Sequence, residues 1–257
     1  MQAPPIHVEP TDRHIRVRRG DLVLADSHRA QLLVWFGPGV LPTYAIPADD
    51  VAVEHLRPSA DPAGLPHTTA HDVVADTELA GVAFRFDEPP EPLAALDGWW
   101  TFAWEAGLAW FEEATEVHVH ARDTRKRVDA IPSDRHIRVE VGDTTVAESE
   151  RPLALFETML PTRWYLPFED VRTDLLEPSG LTTSCPYKGT ATYWSLRVGD
   201  TLHEDIAWSY PDPIVANPRI AGLVCFFNER VDLTVDGERV ERPDTPWSVG
   251  RGGFEPP

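Results

Sequence analysis

Polar and apolar residues alternate in short runs along most of this chain. His14–Val17 and His136–Val141 each read polar, apolar, polar, apolar, the period of a half-buried strand. Each run meets Gly-Asp, a hairpin signal, and resumes as Leu22–Ala25 or Thr145–Ala147. The same pattern predicts strands at Leu153–Phe156, Thr192–Val198, Asp205–Ser209, Leu223–Phe227 and Asp232–Val235. Gly199-Asp200 and Asp236-Gly237 predict two more hairpin turns. Helical periodicity is confined to Ala48–Leu56 and Phe168–Leu176, each predicting one short helix that ends before Pro58 or Pro178. With 25 prolines and 16 glycines spread throughout, the expected class is all-β: many short strands with tight connections.

The pattern occurs twice. Asp12-Arg13-His14-Ile15-Arg16-Val17 reappears letter for letter as Asp134-Arg135-His136-Ile137-Arg138-Val139. Gly20-Asp21 then matches Gly142-Asp143, Asp50-Val51 matches Asp170-Val171, and Pro58-Ser59 matches Pro178-Ser179. Gly107-Leu108-Ala109-Trp110-Phe111 is read as the counterpart of Gly222-Leu223-Val224-Cys225-Phe226. The chain is a tandem duplication. Its expected parts are a first repeat over 1–121, a linker over 122–133, a second repeat over 134–240 and an irregular arm over 241–257, where Trp247 and Phe254 suggest docking.

Composition narrows the class of partner. Hydrophobic residues are 42% and charged residues 25% of 257, ordinary for a soluble globular protein. No apolar run approaches the ~18 residues needed to span a bilayer, and Met1–His7 lacks the basic and apolar regions of a secretory signal. A cytoplasmic location without a membrane partner is expected. A formal net charge of −19 argues against nucleic acid, which is bound through clustered Lys and Arg. The basic run Arg122–Arg127 is read as solvated linker. The two cysteines, Cys185 and Cys225, form no CxxC pair. His118 and His120 share a strand face, but no third ligand stands at a defined spacing, so no metal and no cofactor are assigned. The oligomeric state is not legible.

Chemistry concentrates between Cys185 and Tyr210, where thiol, cationic, small and aromatic side chains crowd together. The first repeat offers neither cysteine nor lysine at the matching place, Ala60–His71. Lys188 precedes Gly189, a residue suited to positive φ or close backbone approach, which would fix where the lysine points. Its expected partners are an acidic ligand or a carboxylate such as Asp205 or Glu177. Arg151 is a candidate second anion contact. Tyr165, Trp194, Trp208 and Tyr210 are the expected walls of a ligand pocket, although alternation puts Tyr193 and Trp194 on opposite faces of one strand. Cys185, Tyr187 and Lys188 stand closest to any catalysis. A nucleophilic thiol would also want a base; His203 is nearest in sequence and His136 is the one repeated as His14.

The second repeat resembles the bacterial family catalogued as domain of unknown function 427, sometimes labelled nucleotidyltransferase-like. The likeness runs through Glu150-Arg151-Pro152, Trp164-Tyr165-Leu166-Pro167, Cys185-Pro186-Tyr187-Lys188-Gly189, Ala191-Thr192-Tyr193-Trp194, Ala207-Trp208-Ser209-Tyr210-Pro211 and Gly222–Phe227. The first repeat looks like a degenerate second copy. The resemblance implies a compact domain of small coiled sheets, similar to the β-tent (Mss4-like) group, and supplies no activity. Two functions therefore compete on the residues alone. One is an enzyme acting on a small anionic or carbonyl substrate; the other is a non-catalytic ligand-binding or regulatory module. A purely structural protein would have no concave site near Lys188.

Overall fold

The structure is a computed structural model that describes residues 5–104 and 106–248. It separates into two compact units, residues 1–123 and 124–257. The first contains β1 (His7–Pro10), β2 (Ile15–Arg19), β3 (Leu22–Ser27), β4 (Gln31–Val34), β5 (Thr43–Ala45), β6 (Leu56–Pro58), β7 (Thr68–Val74), β8 (Glu78–Phe86), β9 (Trp100–Phe102), β10 (Ala109–Glu112) and β11 (Thr115–Val117). The second contains β12 (Val128–Pro132), β13 (Ile137–Val141), β14 (Thr144–Ser149), β15 (Leu153–Glu157), β16 (Arg163–Pro167), β17 (Leu176–Cys185), β18 (Gly189–Val198), β19 (Thr201–Ser209), β20 (Leu223–Phe226), β21 (Asp232–Val235) and β22 (Glu238–Val240). Strand for strand, the second set repeats the first, and every described strand pairing is antiparallel.

In the second unit one sheet has the order β12-β15-β16-β20-β19-β18-β17 and the other β14-β13-β21-β22. The first unit has the same plan. Its β1-β4-β5 and β6-β7-β8-β9 sheets meet where Ile46 and Trp100 exchange hydrogen bonds of 2.7 and 2.8 Å, and β11-β10-β2-β3 forms the smaller sheet. Alternation fixes what each face buries. On one face of the seven-stranded sheet Ala154, Trp164, Leu166, Ala207 and Val224 pack against Ile137, Val139 and Leu233 of the smaller sheet. On the other face Leu153, Leu155, Tyr165, Trp208, Tyr210 and Cys225 form a separate cluster that includes Trp247 of the arm. Phe254 lies outside the described residues.

The β-rich reading holds, with three local corrections. Each stretch expected as one short helix is two 3-10 turns, Ala48–Asp50 and Val53–His55, or Phe168–Asp170 and Thr173–Leu175. Val51 and Val171 interrupt them because each is extended and bridges back to Ala25 or Ala147. The stretch 122–133 is more than a linker, since β12 pairs along β15 as β1 does along β4. Finally, Leu108–Phe111 is not the counterpart of Leu223–Phe226. β20 lies between β16 and β19 as β9 lies between β5 and β8, whereas β10 pairs with β2 and corresponds to β21.

Candidate functional site

The β17–β18 hairpin closes at Cys185–Gly189. Cys185 lies opposite Gly189, and the Lys188 amide donates to the Cys185 carbonyl at 3.2 Å. Pro186 takes the second position of this turn, where its ring presets φ. Gly189 has φ +104°, and a Cβ there would sit 3.2 Å from the Asp212 carbonyl oxygen and the Ile214 nitrogen. The loop after Tyr210 can approach this closely only because that Cβ is missing. It grips the turn by two bonds: Ile214 N–H donates to the Lys188 carbonyl at 3.0 Å, and Asn217 Nδ2 donates to the Tyr187 carbonyl at 2.7 Å.

Held this way, the Lys188 side chain is 12% exposed and its Nζ lies 2.5 Å from Glu157 Oε2. Lys126 Nζ approaches the other carboxylate oxygen at 3.2 Å and lies 5.8 Å from the Tyr187 ring centroid. Glu157 shares its strand face with Leu153 and Leu155, which carries it inward. Burial pushes the Glu157 pKa upward, but Lys188 and Lys126 outweigh it and hold the group below the usual carboxylate range. Burial also works against the Lys188 ammonium; Cys185, Glu157, Tyr210 and Tyr165 around it prevail and raise its pKa well above that of an ordinary lysine. The amine therefore stays protonated near neutral pH and cannot serve as a nucleophile there. Burial raises the pKa of Tyr165 and of Tyr210 against the opposing pull of the Lys188 ammonium, so both phenols remain hydrogen-bond donors. The Tyr165 oxygen already accepts from Trp208 Nε1 at 3.0 Å, leaving its own proton to donate. The Tyr210 hydroxyl has no hydrogen-bond partner among the described residues.

Of the residues expected at the site, Cys185, Tyr187, Lys188, Tyr165, Trp208 and Tyr210 belong to this neighbourhood. Four do not. Arg151 pairs with Glu169 at 2.8 Å and Asp170 at 3.4 Å, as Arg29 pairs with Asp50 in the first repeat, so it serves the shared scaffold. It also flanks β15 at the end opposite Glu157, roughly 20 Å away along extended chain. Glu177 pairs with Arg197 at 2.6 Å, and Asp205 accepts from Ser179 Oγ. Trp194 turns to the opposite face, against Phe168, and donates to Ser209 Oγ at 3.2 Å. Neither expected carboxylate is the partner of Lys188; Glu157 is. Neither histidine weighed as a base stands beside Cys185: His136 pairs with Glu148 at 3.0 Å on the smaller sheet, and His203 lies opposite Leu196 towards the far end of the hairpin.

Sequence reasoning missed Glu157 and Lys126. Glu157 had a signal, a carboxylate at the third inward position of Leu153-Ala154-Leu155-Phe156-Glu157. Lys126 had none, since its run reads as solvated. A second buried pair also went unseen. Arg163 makes two 2.7 Å bonds to Glu229, under the rings of Trp208, Phe227 and Trp247 at 5.5–5.9 Å, and Thr245 Oγ1 donates to Glu229 at 2.6 Å.

A family model matches the chain twice, over residues 7–113 and again over 129–237. The chain belongs to the family described as domain of unknown function 427 (DUF427). Both matches fall on the duplicated strand sets, so this is a DUF427 tandem, and the second match begins inside β12. No curated protein matches the chain. Among the described residues of the DUF427 tandem no cluster of histidine, cysteine and carboxylate is placed to hold a metal ion, and no helix is long and apolar enough to cross a membrane.

Proposed function

We propose that the second repeat binds a small anion, a carboxylate or phosphate group, through the protonated Lys188. One observation carries this reading: two ammonium groups, Lys188 and Lys126, share the single buried carboxylate of Glu157. Among the described residues that leaves a surplus positive charge, in a protein whose formal net charge is −19. A charge enclosed by protein is screened far less than one in water, so the surplus attracts an anion strongly. Lys126 and Lys188, at 16% and 12% side-chain exposure, reach the surface beside Cys185 and Tyr187, and a ligand enters there. The Tyr165 and Tyr210 hydroxyls supply neutral donors that orient it. The site is a recognition site; covalent lysine chemistry is disfavoured because the amine is charged.

Thermal shifts of the full chain with acetate, succinate and phosphate test this, wild type against Lys188→Met. A saturable rise in Tm that is lost in the variant is expected. A folded variant that keeps the rise, or a wild type that shows none, overturns the reading.

A further inference from the structure

The two repeats differ at a second place, on the opposite face of the sheet from Lys188. In the first repeat the Trp104 indole stacks on Trp110, with ring centroids 4.5 Å apart and planes 9° apart, and donates Nε1 to Thr43 Oγ1 at 3.1 Å. The backbone register identifies what stands there in the second repeat. Ala103 N–H donates to the Val82 carbonyl as Phe227 N–H donates to the Ile206 carbonyl, so Trp104 corresponds to Asn228. Trp110 lies opposite Val17 as Leu233 lies opposite Val139, so Trp110 corresponds to Leu233. Two stacked indoles are thus replaced by an amide and an isobutyl group.

The space they would fill is open. A cleft of about 310 Å³ lies there, walled by Trp164, Asn228, Leu233, Val235 and Val240. Arg135 crosses Trp164 with its guanidinium 5.9 Å from the ring centroid, fixed by Asp236 at 2.6 Å, and divides this cleft from a smaller one of about 180 Å³. We infer that the larger cleft binds a flat, uncharged aromatic ring of indole size, seated where the first repeat holds its own Trp104. Trp164 supplies an aromatic wall, already crossed by Arg135, and the volume falls at the lower end of small-molecule sites. Asn228 supplies the polar contact: its Nδ2 donates to the Thr162 carbonyl at 2.9 Å, while Oδ1 has no partner among the described residues and is an acceptor for a ring N–H. Thr43 plays that accepting part for Trp104. At the rim Arg135 pairs with Asp236 and Arg239 with Asp232, while the Glu238 and Glu241 carboxylates that also line the cleft have no ion pair among the described residues, so the rim disfavours an anionic ring.

Indole is the probe, titrated into the full chain by calorimetry and by ligand-observed NMR. Saturable binding of one indole per chain is expected, with at least a tenfold loss of affinity in Asn228→Trp, which installs the ring that the first repeat carries. Val240→Trp blocks the cleft from its exposed rim and gives the same loss should Asn228→Trp not fold. Lys188→Met leaves indole binding unchanged, which separates this cleft from the anion site. Absence of saturable binding, equal affinity in a folded blocking variant, or loss in folded Lys188→Met would each overturn the proposal.

Discussion

The same strands build both repeats, yet the face of the larger sheet turned away from the smaller one is polar at its centre in one and apolar in the other. Register pairs Glu157 with Trp35, Tyr165 with Ala45 and Arg163 with Thr43, because β15–β16 and β4–β5 align rung for rung. Tyr210 corresponds to Phe86 by the matching β18–β19 and β7–β8 pairings. Lys188 lies three residues ahead of Ala191 as Leu65 lies three ahead of Thr68. In the first repeat Trp35, Ala45, Leu65 and Phe86 pack together with Leu33 into one apolar cluster. The fold therefore stands without the Lys–Glu–Tyr arrangement. Buried charges at this place cost desolvation that the apolar side chains of the first repeat avoid, which supports the proposed anion site.

Substitutions that break one partner of a buried pair give the largest effects. Glu229→Ala leaves the Arg163 guanidinium buried and unpaired, and a loss of about 3–5 kcal/mol is expected by urea unfolding. Glu157→Ala leaves Lys188 facing Lys126, and a comparable or somewhat smaller loss is expected, because both lysines reach solvent. The double variant Glu157→Leu/Lys188→Met makes the second repeat resemble the first. It should recover most of that loss and keep no response to anions. A double variant as unstable as Glu157→Ala would show that the ion pair supports the fold itself.

Gly189→Ala probes the turn rather than the charges. A Cβ at φ +104° meets backbone atoms at 3.2 Å, and about 1–3 kcal/mol of destabilisation is expected. Gly142→Ala, also at positive φ but with open space around it, should cost less. Equal losses would mean that the close approach of Asp212–Ile214 contributes nothing.

The pH dependence of the pair has a definite sign. Glu157 titrates below its unfolded value, so its contribution is present above the ordinary carboxylate pKa and fades as pH falls through the lowered one. Lys188 titrates above its unfolded value, so its contribution is present below the ordinary lysine pKa and is lost as pH rises through the raised one. Between those limits, wild-type stability relative to the apolar double variant should be flat; a step between pH 6 and 8 would contradict the assignment of both groups. The smallest effect concerns the thiols. Cys225 is fully buried, and burial pushes its pKa up to about 12, so a maleimide should label Cys185 alone in the native protein. Labelling of Cys225 under native conditions would show that the aromatic face opens.

What the sequence disclosed follows from how local each signal is. The alternation in Ile15–Val17 and Ile137–Val141, and the turns at Gly20, Gly142 and Asp236-Gly237, need only neighbouring residues, and the strands form there. Helix periodicity at Ala48–Leu56 was overridden by a non-local bridge from Val51 to Ala25. Lys188 was legible because Gly189 and the difference between the copies pointed to it. Its partner Glu157 was not, since the two meet only after β15 and the distant hairpin fold onto one sheet. Arg151 misled for the same reason: its partners, Glu169 and Asp170, come from the next turn segment, so it is an ion-pair member of the scaffold and not a ligand contact.

The charge and contacts of one ammonium group test the account most directly. Lysine side-chain NMR of the full chain, with Lys188 assigned from Lys188→Met, reads its protonation and its response to phosphate and acetate. An ammonium resonance at neutral pH that shifts saturably with added anion is the predicted result. A neutral amine, or an ammonium indifferent to both anions, would contradict it.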